Sequence, residues 1–328
     1  MTRAVDLRML PYRGTDAEIE AIARLTNQSA VADEVEEFWT VDSLRAWLAH
    51  ASEQFDPARD VVLVEDGGEI VATGRTEWVD TRDGAFREYR HNATVHPDHR
   101  GRGIGTAILL ELERRQRALA ATHAQERPTV FMTWAPAGRS GEALLRSHGY
   151  QPARWFIDML RPTLEGVDEL PLPAGLELRP VTEDQHETIW RANREAFRDH
   201  WGGSDESLEQ LHRILDDPDT DPELWLVAWD GAEVAGGVWN EIRTAENEQL
   251  GVRRGWLESV FTRRPWRRRG LARALIGRSL SLLRERGMTS AMLGVDADNP
   301  TGALGLYEAA GFTVHDRFVA LRKPMGEA

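Results

Sequence analysis

The sequence predicts an α+β fold built twice in tandem, each copy a mixed, mostly antiparallel central sheet flanked by helices. Three observations predict it. An Arg/Gly turn between a β-like run and an amphipathic helical pattern occurs twice, as Arg100-Gly101-Arg102-Gly103-Ile104-Gly105-Thr106-Ala107 and as Arg267-Arg268-Arg269-Gly270-Leu271-Ala272-Arg273-Ala274. A glycine turn between alternating apolar runs marks a β-hairpin in each half, Glu65-Asp66-Gly67-Gly68 in one and Asp230-Gly231 in the other. The remaining elements follow the same order around both, which is self-similarity on the scale of a domain.

Each half opens on a strand, 5–10 and 176–181, that leads into a helix. The first helix carries Ile19, Ile22 and Ala23 on one face; its counterpart carries Ile189, Ala192 and Ala196. Second helices follow, with Leu44, Trp47, Leu48 and Ala51, and with Leu208, Leu211 and Leu215. The hairpins come next, Val61–Val64 with Ile70–Trp78 and Leu224–Trp229 with Val234–Ile242. A strand (about 88–95 and 256–262), the Arg/Gly turn and a long helix (103–119 and 270–286) then repeat in both halves. A further strand (130–134 and 291–295), a short helix, a Gly-aromatic pair (Gly149-Tyr150 and Gly311-Phe312) and closing strands complete each copy. Residues 163–175, rich in Pro, Gly and acid, have no sustained period and read as a linker between domains 1–162 and 176–328.

Composition narrows the function. A length of 328 residues suits two domains that each bury a core, and 41% hydrophobic with 29% charged residues is globular usage. No apolar run is long enough to span a bilayer, and no signal peptide is read at the N-terminus, so the cytoplasm is the expected address. The absence of cysteine excludes disulfides, thiolate metal sites and a Cys nucleophile. A net charge of −14 argues against general nucleic-acid binding. Lys323 is the only lysine, and its place beside Pro324 near the C-terminus argues against Schiff-base chemistry. The ten histidines show no H-x-x-x-H pair, and no metal is expected.

A strand, an Arg/Gly turn and a helix leave free backbone N–H groups at the helix start, where the dipole also favours an anion such as a pyrophosphate. The other reading of the arginines is a solvated basic face.

At this point the residues resemble the GCN5-related N-acetyltransferases (GNAT). Their Q/R-x-x-G-x-G/A turn is matched in full by Arg100 to Gly105 and in its alanine variant by Arg267 to Ala272. A second family element, N-x-x-A-x-x-L-Y-x-x-x-G-F, is matched by Asn299, Ala303, Leu306, Tyr307, Gly311 and Phe312. The tandem layout also resembles mycothiol synthase-like actinobacterial acetyltransferases.

The resemblance implies an acetyl-coenzyme A-dependent enzyme. It implies that Arg267, Arg268, Arg269, Gly270, Leu271, Ala272 and Arg273 hold the pyrophosphate, as Arg100, Gly101, Arg102, Gly103, Ile104, Gly105 and Thr106 would in the first half. The preceding strands, Val260, Phe261 and Thr262 and likewise Ala93, Thr94 and Val95, would bind the pantetheine arm. Asn299 would orient the last helix or contact that arm. Tyr307 is the implied general acid for the departing thiolate, or else an amphipathic core tyrosine. Glu258, in a strand leading to the site, is the candidate base, or simply a wet strand position; His200 or a water chain are alternatives. Asp199, His200, Trp201 and Asp296 are candidate acceptor contacts, and the acids Asp199, Glu258, Asp296 and Asp298 favour a cationic amine.

Counting back from the shared motifs, Leu145 stands where Tyr307 stands and His91 where Glu258 stands. The first half is therefore expected to keep a phosphate device without acid or base. The expected activity is direct acetyl transfer from acetyl-coenzyme A to a small-molecule primary amine in the C-terminal domain. Protein or peptide N-acetylation, and coenzyme binding without turnover, are the alternatives. Nucleic-acid and membrane partners are not expected, and a monomer (a pseudo-dimer of domains) or a homodimer remains open.

Overall fold

The computed structural model describes residues 7–124, 126–299 and 302–326. Residues 5 and 6 of the expected first strand and Pro300 of the Asp-Ala-Asp-Asn-Pro stretch lie outside them. The first half runs β1 (Leu7–Pro11), α1 (Asp16–Ala32), α2 (Val41–Ala49), α3 (Pro57–Asp60), β2 (Val61–Asp66), β3 (Glu69–Asp80), β4 (Arg87–Val95), α4 (Ile104–Ala120), β5 (Thr129–Pro136), α5 (Ser140–Ser147) and β6 (Gln151–Arg161). The second runs β7 (Glu177–Arg179), α6 (His186–Ala196), α7 (Leu208–Leu215), β8 (Leu226–Asp230), β9 (Glu233–Glu241), α8 (Thr244–Leu250), β10 (Arg254–Thr262), α9 (Leu271–Glu285), β11 (Ser290–Asp296), α10 (Ala303–Ala309) and β12 (Thr313–Pro324).

Two compact units result: Met1–Arg154 with Gly202–Gln210 and Phe318–Ala328, and Trp155–Trp201 with Leu211–Arg317. The sheet of the first has the order β1-β2-β3-β4-β5-β12 and that of the second β6-β11-β10-β9-β8-β7. In each, one central pair is parallel, β4 with β5 and β10 with β11, and the other described pairings are antiparallel. Both are mixed, mostly antiparallel sheets flanked by helices.

The units depart from the halves expected at 1–162 and 176–328. From Trp155 onward β6 belongs to the second unit, pairing Phe156–Arg161 with β11, and from Phe318 onward β12 belongs to the first, pairing with β5. Two closing strands with the same alternation fit either sheet, so local pattern does not choose between them. The expected linker at 163–175 is packed rather than loose. Leu164 is buried, its N–H donates to the Thr289 carbonyl at 3.1 Å, and Val167 and Leu172 pack on the second unit's core.

The helices form where caps and apolar spacing agree. Thr15 caps α1 through a capping box with Glu18, and the helix buries Ile19, Ile22, Ala23 and Leu25. Thr40 caps α2, which sets Leu44 and Leu48 on the same core as Ile19 and Ile22. On the other sheet face of this unit Ile104, Ile108 and Leu112 of α4 pack on Val62, Val64, Val71 and Ala72. The second unit repeats the scheme: α9 buries Leu271, Leu275, Leu280 and Leu283, while α6 packs Ile189 and Trp190 beside Trp225, Trp229 and Trp239. Those tryptophans are core residues.

Candidate active site

In each unit the site begins where a long helix starts without a side-chain cap. Gly270 is the N-cap of α9 with φ 85° and Gly103 that of α4 with φ 82°, and neither helix has a capping side chain. The first N–H groups of both therefore remain available to an anion. A Cβ on either glycine would meet nothing within 4 Å, so glycine answers the backbone angle rather than crowding. The preceding turns also match: Gly101 has φ 72°, and its counterpart Arg268 adopts φ 62°, a left-handed conformation rare outside glycine.

The first arginine of each turn clamps the turn to its own unit. Arg267 donates to the Thr262 carbonyl at 3.0 Å, to Asp199 at 2.8 Å and to the Ala196 carbonyl at 2.9 Å. Arg100 does the same with the Val95 carbonyl (3.3 Å), Asp33 (2.6 and 2.9 Å) and Ser29 (2.6 Å). Arg264 and Arg267 hold the Asp199 carboxyl well below the usual carboxylate range. Arg102 pairs with Asp66, and Arg269 donates to the Ala174 carbonyl. Arg268 and Arg273 are exposed and have no ion pair or side-chain hydrogen bond among the described residues.

The strand before each turn is splayed from its parallel neighbour. The β10–β11 register runs only from Arg254↔Ser290 to Trp256↔Met292, although β10 continues to Thr262. The β4–β5 register likewise stops at Arg90↔Met132, short of Val95. Beyond those points Leu257–Thr262 and His91–Val95 have one edge without a strand partner among the described residues, so backbone donors and acceptors face a wedge. In the first unit this wedge opens a cleft of about 610 Å³ lined by Ala93, Thr94, Val95, Arg100, Gly101, Gly103, Gly105 and Thr106 among others. Uncapped helix start, unpaired strand edge and glycine turn fit the pyrophosphate and amide-bearing arm of a coenzyme A thioester.

Around the second unit's wedge lies a cluster of carboxylates. Glu258 is bulged out of β10, where the register with β9 shifts between Leu257 and Ser259, and its side chain is 45% exposed. Arg243 donates to Glu258 at 2.8 Å and to Glu241 at 3.2 Å while stacking over Trp256 at 4.2 Å. Glu241, at the end of β9, is pushed up to about 8 by burial and by the charge of Glu258, with Arg243 opposing. Asp158 of β6 is opposite Gly294 of β11, where a Cβ would stand 3.4 Å from Asp158 Oδ1. Burial, Asp316 and Glu258 push Asp158 up to about 6. Tyr307 of α10 is 7% exposed, its hydroxyl has no hydrogen bond among the described residues, and burial pushes it up to about 12. At neutral pH it is a protonated phenol, able to donate.

The remaining sequence candidates are placed as follows. Trp201 packs against Phe156 at 6.1 Å between ring centroids, and Phe156 lies two residues before Asp158 on the same strand face. His200 packs on Phe197 at 4.3 Å. Asp296 is buried, and its carboxylate accepts the Asp298 N–H at 3.1 Å, while the Asn299 N–H donates to the Asp296 carbonyl at 3.1 Å. Asp199 lies under the arginine turn, bonded to Arg264 and Arg267. The sequence reading missed Asp158, Glu241, Arg243 and Asp316. Glu241 carried a signal, an acid closing an alternating apolar strand just before Arg243; Asp158, from the closing strand of the other half, carried none.

The first unit differs at both chemical positions. Leu145 lines its cleft where the second unit has Tyr307. His91 is 4% exposed and sits in a closed network with Gln116 (3.0 Å) and Tyr150 (3.2 Å); the Tyr150 hydroxyl in turn donates to Glu113, which Lys323 also meets at 2.7 Å. Burial lowers His91 to about 4.

A doubled α+β unit with a splayed parallel strand pair and an uncapped helix at each wedge defines an acyl-coenzyme A-dependent transferase. Residues 186–312 match the acetyltransferase (GNAT) family and residues 57–152 the acetyltransferase (GNAT) domain. The mycothiol acetyltransferase of Geodermatophilus obscurus is 32% identical over 314 residues, 94% of each chain. A GCN5-related N-acetyltransferase structure from Sphaerobacter thermophilus superposes with a TM-score of 0.70 at 27% identity, over 98% of this chain and 96% of that one. A tandem GNAT protein from the clavulanic acid biosynthesis pathway shares the fold, with a TM-score of 0.70 at 16% identity over 98% and 100% of the two chains. The chain belongs to the GNAT family of acetyltransferases, in its tandem form, and is an N-acetyltransferase; acetyl-coenzyme A is the donor that this family uses. Among the described residues no helix is long and apolar enough to cross a membrane.

Proposed function

We propose that the protein acetylates a primary amine of a small cationic molecule, and that the second unit performs the chemistry. The observation that carries this reading is that Glu241, Glu258 and Glu246 share Arg243 beside the wedge, with Asp158 close enough to feel the charges of Asp316, Glu258 and Arg243. Carboxylates in excess of the Arg243 guanidinium draw a cation, and Glu241, whose hold on a proton burial strengthens, can as a carboxylate take the proton that an ammonium must lose before it attacks. When bound, acetyl-coenzyme A supplies the activated acetyl thioester. The turn from Arg267 to Arg273 and the α9 N–H groups hold its phosphates, with Arg268 and Arg273 adding charge and Arg267 keeping the turn in place. The edge Val260–Thr262 meets the arm, Asn299 holds the approach to α10, and Tyr307 gives a proton to the leaving thiolate. Glu258 acts on Glu241 through its charge and through Arg243, and Trp201 and Phe156 form an aromatic side to the acceptor site. With no cysteine in the chain, direct transfer between the two bound substrates is favoured over an acyl-enzyme.

The relatives' name, mycothiol acetyltransferase, supports a small-molecule amine rather than a peptide as acceptor. The first unit, with Leu145 and an inward His91, fits a coenzyme-binding partner without turnover. A thiol-release assay tests the reading with two panels: small cationic amines (amino sugars, polyamines, amino-acid amides) and lysine-bearing peptides. Release with members of the first panel alone supports it; release only with peptides, or with neither, overturns it.

A further inference from the structure

Beside the first unit's cleft a second cavity of about 160 Å³ lies between α1, α2 and the strands β2 to β4. Thr26, Glu37, Asn92, Ala93 and Thr94 line both, so the cavity opens off the cleft. Its wall is aromatic and preformed. Trp39 and Trp47 meet edge to face at 6.5 Å, and Trp47 leans on Phe55 at 4.8 Å. The Asn27 side chain fixes the Trp39 backbone through two hydrogen bonds, to the carbonyl at 2.8 Å and from the N–H at 2.9 Å. The volume is that at which an apolar cavity takes up one benzene ring.

One charge in the cavity lacks its counterpart. The Arg75 guanidinium lies over the Trp47 ring at 4.4 Å, half-buried, with no ion pair or side-chain hydrogen bond among the described residues. Glu37, at the exposed rim, instead accepts the Trp39 Nε1–H at 2.7 Å. A half-buried guanidinium without an acceptor has free donors in a fork that matches a carboxylate. We propose that this cavity is a separate binding site for a small anion built on a single ring, an aryl or alicyclic carboxylate, with the ring against Trp39 and Trp47 and the carboxylate on Arg75. It rests on the proposed function in one respect, that the first unit does not transfer acetyl groups. Because Leu145 and His91 offer neither acid nor base here, the ligand is held and not turned over.

Isothermal titration of the full chain tests the site with four probes: benzoate, cyclohexanecarboxylate, benzamide and benzylamine. The two carboxylates bind, and the neutral and cationic probes bind at least about tenfold more weakly. Arg75→Gln abolishes that preference, Arg75→Lys keeps part of it, and thiol release with the amine substrate stays at the unmodified level in both. Circular dichroism of both variants guards against a folding defect, which would remove all four probes rather than the preference among them. Equal binding of benzamide and benzoate, binding of none of the four, or carboxylate binding untouched by Arg75→Gln overturns the proposal.

Discussion

Glu258 and His91 hold the same place in the two repeats and face opposite ways. The bulge between Leu257 and Ser259 turns Glu258 out to Arg243, whereas β4 keeps unbroken register with β3 and leaves His91 against Gln116 and Tyr150. One extra residue in a strand reverses the facing of its side chains. The asymmetry of the two units thus comes from strand register as well as from residue type.

Tyr307→Phe removes only the phenolic hydroxyl, which has no partner to lose among the described residues. The expected result is a fall of about a hundredfold in kcat with the KM for acetyl-coenzyme A little changed. Steady-state thiol release at saturating amine measures it. A core tyrosine without a chemical role would leave kcat within about twofold.

Glu241 accepts a proton only as a carboxylate, and burial with the Glu258 charge pushes it up to about 8. The kcat/KM for the amine therefore falls as pH drops below about 8 and levels off above it. Glu258→Gln removes one of the two causes, so the midpoint moves to lower pH; Glu241→Gln removes the limb itself. Stopped-assay profiles between pH 6 and 10, roughly the span the titration covers, separate the two variants.

Arg268 holds φ 62° where the first unit has Gly101. Arg268→Gly relieves a left-handed conformation but adds chain entropy to the unfolded state, so thermal stability stays within about 1 kcal/mol. The variant loses a cation without a protein partner, and the KM for acetyl-coenzyme A rises by about three- to tenfold. A stability loss with unchanged KM would mean that the arginine serves the fold.

His91 is neutral in the folded chain, lowered to about 4 by burial against 6.5 when unfolded. Below 6.5 the unfolded state binds the proton that the folded state refuses, so the stability is fully present above 6.5 and is lost as pH falls through about 4. The slope approaches about 1.4 kcal/mol per pH unit. Urea denaturation reads it as a difference: between pH 6.5 and 4 the unmodified chain loses stability relative to His91→Gln with up to this slope.

The doubled fold was legible because its repeat is marked by short local features: the Arg/Gly turn, the hairpin glycines and the amphipathic helices that carry Ile19 or Leu275 inward. The pairing of closing strands was not, because β6 and β12 alternate alike and the choice of β11 or β5 rests on contacts far apart in sequence. For that reason Asp158 stayed invisible as a neighbour of Glu258. The arginine turns were found, yet the acids that hold Arg100 and Arg267, Asp33 and Asp199, come from the chain after α1 and α6, where no spacing announces them. The Glu258 bulge also leaves no mark in the alternation of Trp256 to Thr262.

The central claim is that the second unit carries the chemistry, and Gly270 and Gly103 offer a matched pair to test it. Both are helix N-caps with left-handed angles in open space, so a β-branched residue distorts each turn by the same strain. The measurement is kcat/KM for acetyl-coenzyme A in Gly270→Val and Gly103→Val, each shown to be folded by circular dichroism. The account predicts a loss of at least about tenfold for Gly270→Val and a value within about twofold of the unmodified protein for Gly103→Val. Loss of turnover in Gly103→Val with Gly270→Val left active would contradict it.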